Sequence, residues 1–135
     1  MKILIVDDNE ANCLLFKLYL SRYGILVTAK SGIRAIELFK EALDAGQRFD
    51  FVCMDYYMPQ MDGLEAVRAI RRIEFERQIV WDNRVKIAMV SVVENESLMI
   101  NAYLNGCDAY ITRPCLKKQF IEEIRHLGIL PGTAA

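Results

Sequence analysis

Ile3-Leu4-Ile5-Val6-Asp7-Asp8-Asn9 and Phe51-Val52-Cys53-Met54-Asp55 are the two stretches on which the reading of the fold turns. Each is an apolar run of strand length that stops on a carboxylate. Val85 to Val90 leads in the same way to Ser91, and Ala109-Tyr110-Ile111 to Thr112 and Arg113. Strands buried on both faces of a parallel sheet are nearly continuous in Val, Ile and Leu, as the runs ending at Val6 and Val90 are. Polar residues that end such strands at one edge of one sheet are brought together. Here that edge would collect three carboxylates, a hydroxyl and a cation.

Between the apolar runs lie segments of helical period, and the alternation repeats five times. That is the pattern of a parallel sheet with helices on both faces. The spacing predicts β1 at about 2–7, α1 at 9–22, β2 at 25–29, α2 at 31–45 and β3 at 49–55. It then predicts α3 at 63–77, β4 at 84–91, α4 at 95–105, β5 at 108–112 and α5 at 115–127. Asn9 and Ser31 are placed to cap α1 and α2, and Gly24 and Gly106 to end α1 and α4. Asp62-Gly63 marks the turn into α3. The expected class is α/β, a flavodoxin-like doubly wound sheet of five strands in the order 2-1-3-4-5 with five helices. Ligands of such sheets bind beyond the carboxyl ends of β1 and β3, where the winding reverses. Asp7-Asp8 and Asp55 end those two strands.

The chain has 135 residues, enough for one well-buried core and too few for two. At 53% hydrophobic and 26% charged it has the composition of a compact domain. A formal net charge of −1 argues against a dedicated nucleic-acid binder, which would be strongly basic. Cys13, Cys53, Cys107 and Cys115 form no CxxC pair, and the only histidine, His126, is at no metal spacing from them. They read as mostly buried thiols in a reducing compartment. No stretch approaches the ~18 apolar residues that span a membrane, and the N-terminal run is too short for a signal peptide. The expected location is cytoplasmic. The domain is expected over 1–127, with 128–135 as a C-terminal tail of which 130–135 reads as a loose end.

Asp7, Asp8 and Asp55 would repel one another unless a cation compensated them. A hard divalent ion fits that need, and Mg²⁺ prefers a few carboxylates together with water and phosphate oxygens. Val6-Asp7-Asp8-Asn9, Met54-Asp55 with Met58-Pro59-x-Met61-Asp62-Gly63, the strand-end Ser91 and Tyr110-x-x-Arg113-Pro114 together resemble the receiver domain of two-component response regulators. The resemblance covers about residues 1–127. It implies that Asp55 accepts a phosphoryl group from a histidine kinase, and that the domain is a signalling switch rather than a conventional enzyme. It implies that Asp8, Asp55 and the backbone carbonyl of Tyr57 bind Mg²⁺ directly, with Asp7 acting through water. Ser91 would hydrogen-bond the phosphate, and Tyr110 would be the aromatic switch. A phosphohydrolase with the same strand-end nucleophile wants a second Asp two residues after it, where Tyr57 stands.

Three departures from the family pattern stand out. Arg113 occupies the place of the usual lysine, keeping the charge but changing a compact ammonium into a planar fork. The fork would hold the unphosphorylated Asp55, clamp the phosphate or hinder Mg²⁺. By resemblance the Arg113–Pro114 peptide bond is expected to be cis. Val92, where a small residue is usual, and Tyr57 add bulk that would obstruct the water hydrolysing an acyl phosphate, giving a slowly decaying phosphorylated state. The alternative to the phosphorylated switch is a pseudo-receiver, a protein-interaction module working without phosphate.

On α1, Ala11, Leu14, Leu15 and Leu18 fit one core stripe at helical spacing. Cys13, Phe16, Tyr19 and Leu20 then fall outside it, as a docking face for a kinase or phosphotransfer protein, a wide core face or a self-association patch. Met99, Tyr103 and Phe120 are either candidates for a regulated surface on α4-β5-α5 that meets a downstream protein or simply core residues. A homodimer is possible; nucleic acid and membrane are not expected partners. The long connection Arg77 to Asn83 carries Trp81, which would cover the sheet edge or meet a partner.

Overall fold

The computed structural model describes residues 1–130; the last five residues of the expected tail, 131–135, lie outside it. The chain alternates strand and helix: β1 (Lys2–Val6), α1 (Glu10–Leu20), β2 (Ile25–Ala29), α2 (Gly32–Asp44), β3 (Phe51–Asp55) and α3 (Gly63–Glu76). A short 3-10 turn, Trp81–Asn83, precedes β4 (Lys86–Ser91), followed by α4 (Glu96–Leu104), β5 (Ala109–Thr112) and α5 (Lys117–Arg125). The five strands are all parallel, in the order β2-β1-β3-β4-β5.

Alternate residues of each central strand enter two separate cores. Leu4, Val6, Val52, Met54, Ile87 and Met89 point to the face covered by α2, α3 and α4. Ile3, Ile5, Phe51, Cys53, Ala88 and Val90 point to the face covered by α1 and α5. Burial on both faces is why these strands read as unbroken apolar runs. Asn9, Ser31, Asp62 and Asn95 each begin a helix by accepting a backbone N–H bond with the side chain.

Register places the site. Val6 pairs with Met54, Asp55 with Val90 and Ser91 with Thr112. Asp7 therefore lies level with Asp55, and Ser91 and Arg113 each follow one residue beyond their neighbours. The Tyr56 N–H to the Val90 carbonyl (2.8 Å) and the Arg113 N–H to the Ser91 carbonyl (2.7 Å) carry the ladder past the strand ends.

Several expectations need correction. The core stripe of α1 is Cys13, Phe16 and Leu20, while Ala11, Leu14, Leu15 and Leu18 face outward. The helix is apolar nearly all round, so its sequence supports either register. The aromatic side chains decided: Phe16 packs on Phe120 of α5 at 5.1 Å and Tyr19 on the same ring at 5.6 Å. Phe120 is accordingly a fully buried core residue and not part of an output surface. Gly24 does not end α1, which stops at Leu20; a Cβ there would strike the Met1 backbone carbonyl. Trp81 does not cover the sheet edge, being 82% exposed. Leu130, expected to begin a loose end, packs with Ile129 on the α1–α5 core.

Candidate functional site

The buried carboxylates of Asp7 and Asp55 stand side by side at the carboxyl ends of β1 and β3, with the exposed Asp8 beside them. One oxygen from each lies within 4.8 Å of the others. Local structure holds each in place. The Asp7 Oδ1 accepts the Asn9 N–H at 2.9 Å, and the Cys13 thiol donates to the Asp7 carbonyl at 3.3 Å. Behind Asp55, Gly63 begins α3 so close to the strand that any Cβ would collide with the Asp55 carbonyl. The Gly63 N–H also donates to the Tyr56 carbonyl at 2.8 Å. Glycine at 63 is thus a requirement of close approach.

Arg113 reaches into this cluster from the end of β5. Its Nη2 lies 3.2 Å from the Asp55 Oδ1 and its Nη1 3.7 Å from the Asp7 Oδ2. The buried Nε has no partner. One guanidinium therefore serves two carboxylates while a third stands by, leaving the cluster short of positive charge. The consequence is visible in proton affinity. Burial, the Asp7 charge and the Asp8 charge push Asp55 up to about 7, against the opposing pull of Arg113 and of the Tyr57 N–H. Burial likewise raises Asp7, with the Asn9 N–H and Arg113 opposing. Three hard oxygen donors with unmet charge are a donor set that suits Mg²⁺. The Arg113–Pro114 bond is cis, as expected.

Ser91 is buried, its Oγ accepting the Val93 N–H at 3.0 Å. Tyr110 is half-buried and donates its hydroxyl hydrogen to the Val93 carbonyl at 2.8 Å. Val93 is therefore a joint between the two, a residue that motif reading passed over because a backbone amide carries no side-chain signature. Tyr57 and Val92 stand exposed at the rim, with the Tyr57 ring against Tyr56 at 4.9 Å. Beside them a groove of about 530 Å³ runs between α1 and the β5–α5 loop, lined by Leu15, Tyr19, Val92, Arg113 and Pro114 among others.

A second ionic cluster lies at the opposite end of the sheet. Arg71 binds Glu74 (2.7 Å), Asp108 (2.9 Å) and the carbonyls of Val85 and Gly106 (2.8 and 2.7 Å). Glu74 and Asp108 in turn accept the N–H groups of Val85 and Ile87. This cluster ties α3 to the start of β4 and β5. Its one sequence signal was a glutamate inside the apolar stripe of α3. The cysteines are all free; Cys13, Cys53 and Cys107 are buried, and burial drives their thiol pKa values upward, Cys107 to about 12. No helix among the described residues is long and apolar enough to cross a membrane.

Comparison with known proteins agrees with this geometry. Residues 3–125 match the family model of the response regulator receiver domain. Histidine kinase 3 of Arabidopsis thaliana is 35% identical over 91% of this chain, which spans 13% of that protein. The chemotaxis protein CheY of Bacillus subtilis is 31% identical, with 91% of this chain matched to 93% of its length. The receiver domain of the Arabidopsis histidine kinase CKI1, solved as a complex with Mg²⁺ and BeF₃⁻, superposes with a TM-score of 0.79 at 28% identity. That match covers 94% of this chain and 89% of the other. Fold, site placement and sequence similarity lead to one conclusion: this chain belongs to the response regulator receiver domain family.

Proposed function

We propose that this domain is a phosphorelay switch in which Asp55 accepts a phosphoryl group from the phosphohistidine of a histidine kinase or phosphotransfer protein. The observation that carries the reading is the placement of Asp55. It is a buried carboxylate level with Asp7, beside Asp8, one residue short of Ser91 and under the Arg113 fork. In the transfer, an Asp55 oxygen bonds to phosphorus as the phosphorus–nitrogen bond of the donor breaks. Such a reaction needs in-line positioning and neutralised oxygens more than elaborate covalent machinery. Asp8, Asp55 and the Tyr57 carbonyl would hold Mg²⁺, with Asp7 acting through water. The ion would supply positive charge against the phosphoryl oxygens.

The Ser91–Val93–Tyr110 chain supports a route for the signal. A phosphate on Asp55 offers strong acceptors close to Ser91. Turning the Ser91 hydroxyl toward them gives up its contact with the Val93 N–H, which frees the loop that also holds the Tyr110 hydroxyl. The exposed Met99 and Tyr103 of α4 would then form part of a downstream protein contact. The donor would dock on the outward Ala11-Leu14-Leu15-Leu18 face of α1 and the adjoining groove, next to Arg113. The reading places the protein in the cytoplasm, where histidine kinases present phosphohistidine.

The test is incubation with Mg²⁺ and a small acyl phosphate, read by intact mass, wild type beside Asp55→Asn. One phosphoryl group on wild type and none on the variant is the expected result. An unmodified wild type would instead assign the fold to phosphate-independent binding.

A further inference from the structure

At the other end of the sheet from the acidic site, the α3–β4 connection bears an aromatic patch that the phosphorelay reading does not use. Phe75 is 83% exposed and Trp81 82%, with Val80 also exposed and Ile79 partly so. Between them lies a groove of about 710 Å³ whose floor is the Arg71–Glu74 pair. Two residues hold the connection in the left-handed region, Gln78 at φ 59° and Trp81 at φ 53°. For a bulky L-residue such as Trp81 that conformation is strained. A strained backbone that displays the chain's sole tryptophan to water, rather than tucking it under α3, needs a compensating contact.

We propose that this patch is an interface with a second copy of this chain, in a twofold dimer where each Trp81 enters the partner's groove. Three features favour a second copy over an unrelated protein. The knob and the groove adjoin on one surface, as reciprocal insertion about a twofold axis demands. The patch carries both signs of charge, Glu76 and Arg84 lining the groove and the exposed Asp82 next to Trp81 in the chain. None of the three has a salt bridge within the described residues. A twofold axis can set Glu76 of one copy against Arg84 of the other and the reverse, whereas a partner chosen by charge would call for a rim of one sign. The area also suits a reversible dimer. Aromatic side chains bury about 150–250 Å² each. Phe75 and Trp81 with Val80 and the polar rim thus offer roughly 500–700 Å² per copy, at the lower end of specific interfaces. An interface of that size suits a reversible, concentration-dependent dimer. Because the patch adjoins the amino end of β4, the dimer leaves Asp55 and the α1 groove open.

Sedimentation of the whole chain from micromolar to millimolar concentration tests this, with Trp81 fluorescence read in parallel. The expected result is a monomer–dimer equilibrium in which emission shifts to the blue as dimer forms. Trp81→Ala and Phe75→Ala, both at exposed positions that leave the fold intact, should weaken association at least tenfold. Arg84→Glu, which makes the rim wholly acidic, should weaken it in a salt-dependent manner. Asp55→Asn should dimerise like wild type, which separates this inference from the phosphorylation reading. A wild type that stays monomeric with unshifted emission overturns the proposal. So does a dimer that persists undiminished in Trp81→Ala, since its contact would lie on another face.

Discussion

Replacing Arg113 by methionine isolates what the guanidinium does in the acidic site. The substitution keeps the length of the aliphatic stem and removes the cation that lies 3.2 Å from Asp55 and 3.7 Å from Asp7. Stripping the partner from a fully buried pair costs about 3–5 kcal/mol, because an uncompensated charge stays behind. Here the loss is capped. Asp55 already titrates at about 7, so near neutral pH it escapes by taking up a proton. A cost of about 2 kcal/mol at pH 7 follows. At about 3–4 °C per kcal/mol for a chain of this size, the melting temperature without metal should fall by roughly 6–8 °C. The fall should be larger at pH 8, where the proton is harder to obtain.

Mg²⁺ should act in the opposite sense. Mg²⁺ binding displaces any proton from Asp55, and the ionised carboxylates then sum with the guanidinium to −2, or to −3 without it. The extra charge and the vacated space should tighten Mg²⁺ binding about tenfold, roughly 1.4 kcal/mol, so saturating Mg²⁺ recovers most of the lost stability. Arg113→Lys retains the charge and should melt near wild type without metal. The assay is thermal melting with and without Mg²⁺, with affinity from titration calorimetry. An apo melting temperature equal to wild type, together with unchanged Mg²⁺ affinity, would refute the view that Arg113 is the cation neutralising this site.

Three further outcomes are expected. Asp55 is raised from its ordinary value of 3.8 to about 7, so between those values the folded chain binds more protons than the unfolded one. Its contribution to stability must therefore fall as pH climbs from about 4 to 7. Asp55→Asn should flatten that slope and be about 1–2 kcal/mol more stable than wild type at pH 8 by urea unfolding, and an unchanged slope would count against a raised Asp55. Val92→Ala and Tyr57→Ala should each speed loss of phosphate several-fold by opening the rim to water. Label lost from wild type within seconds would contradict the screening role. Arg71→Met should destabilise the domain by about 3–5 kcal/mol, since it leaves Glu74 buried without its cation. A loss below 1 kcal/mol in urea would show Glu74 to be relieved by water or a proton.

Local order along the chain made most of the fold legible. Residues 3–6, 51–54 and 87–90 are apolar without interruption because they are buried on both faces, and each run ends on a polar residue at the same edge. The cap residues Asn9, Ser31 and Asp62 mark helix starts through bonds spanning only three residues. The periodicity of α1 was ambiguous for the opposite reason. A helix apolar on every side has no stripe of its own, and only the rings of Phe120 and Tyr19 select one. Val93 and the Arg71 cluster escaped reading because their contacts are to backbone groups and to residues up to 37 positions away.

By itself, then, the sequence determined the alternation of strands and helices and the acidic and hydroxyl groups that end the strands, because burial pattern and capping are written in neighbouring residues. Tertiary structure decided which face of α1 meets the sheet and that one guanidinium is shared between Asp7 and Asp55. It also decided that Val93 joins Ser91 to Tyr110. Each of these depends on distances between segments far apart along the chain, and a linear pattern does not contain them.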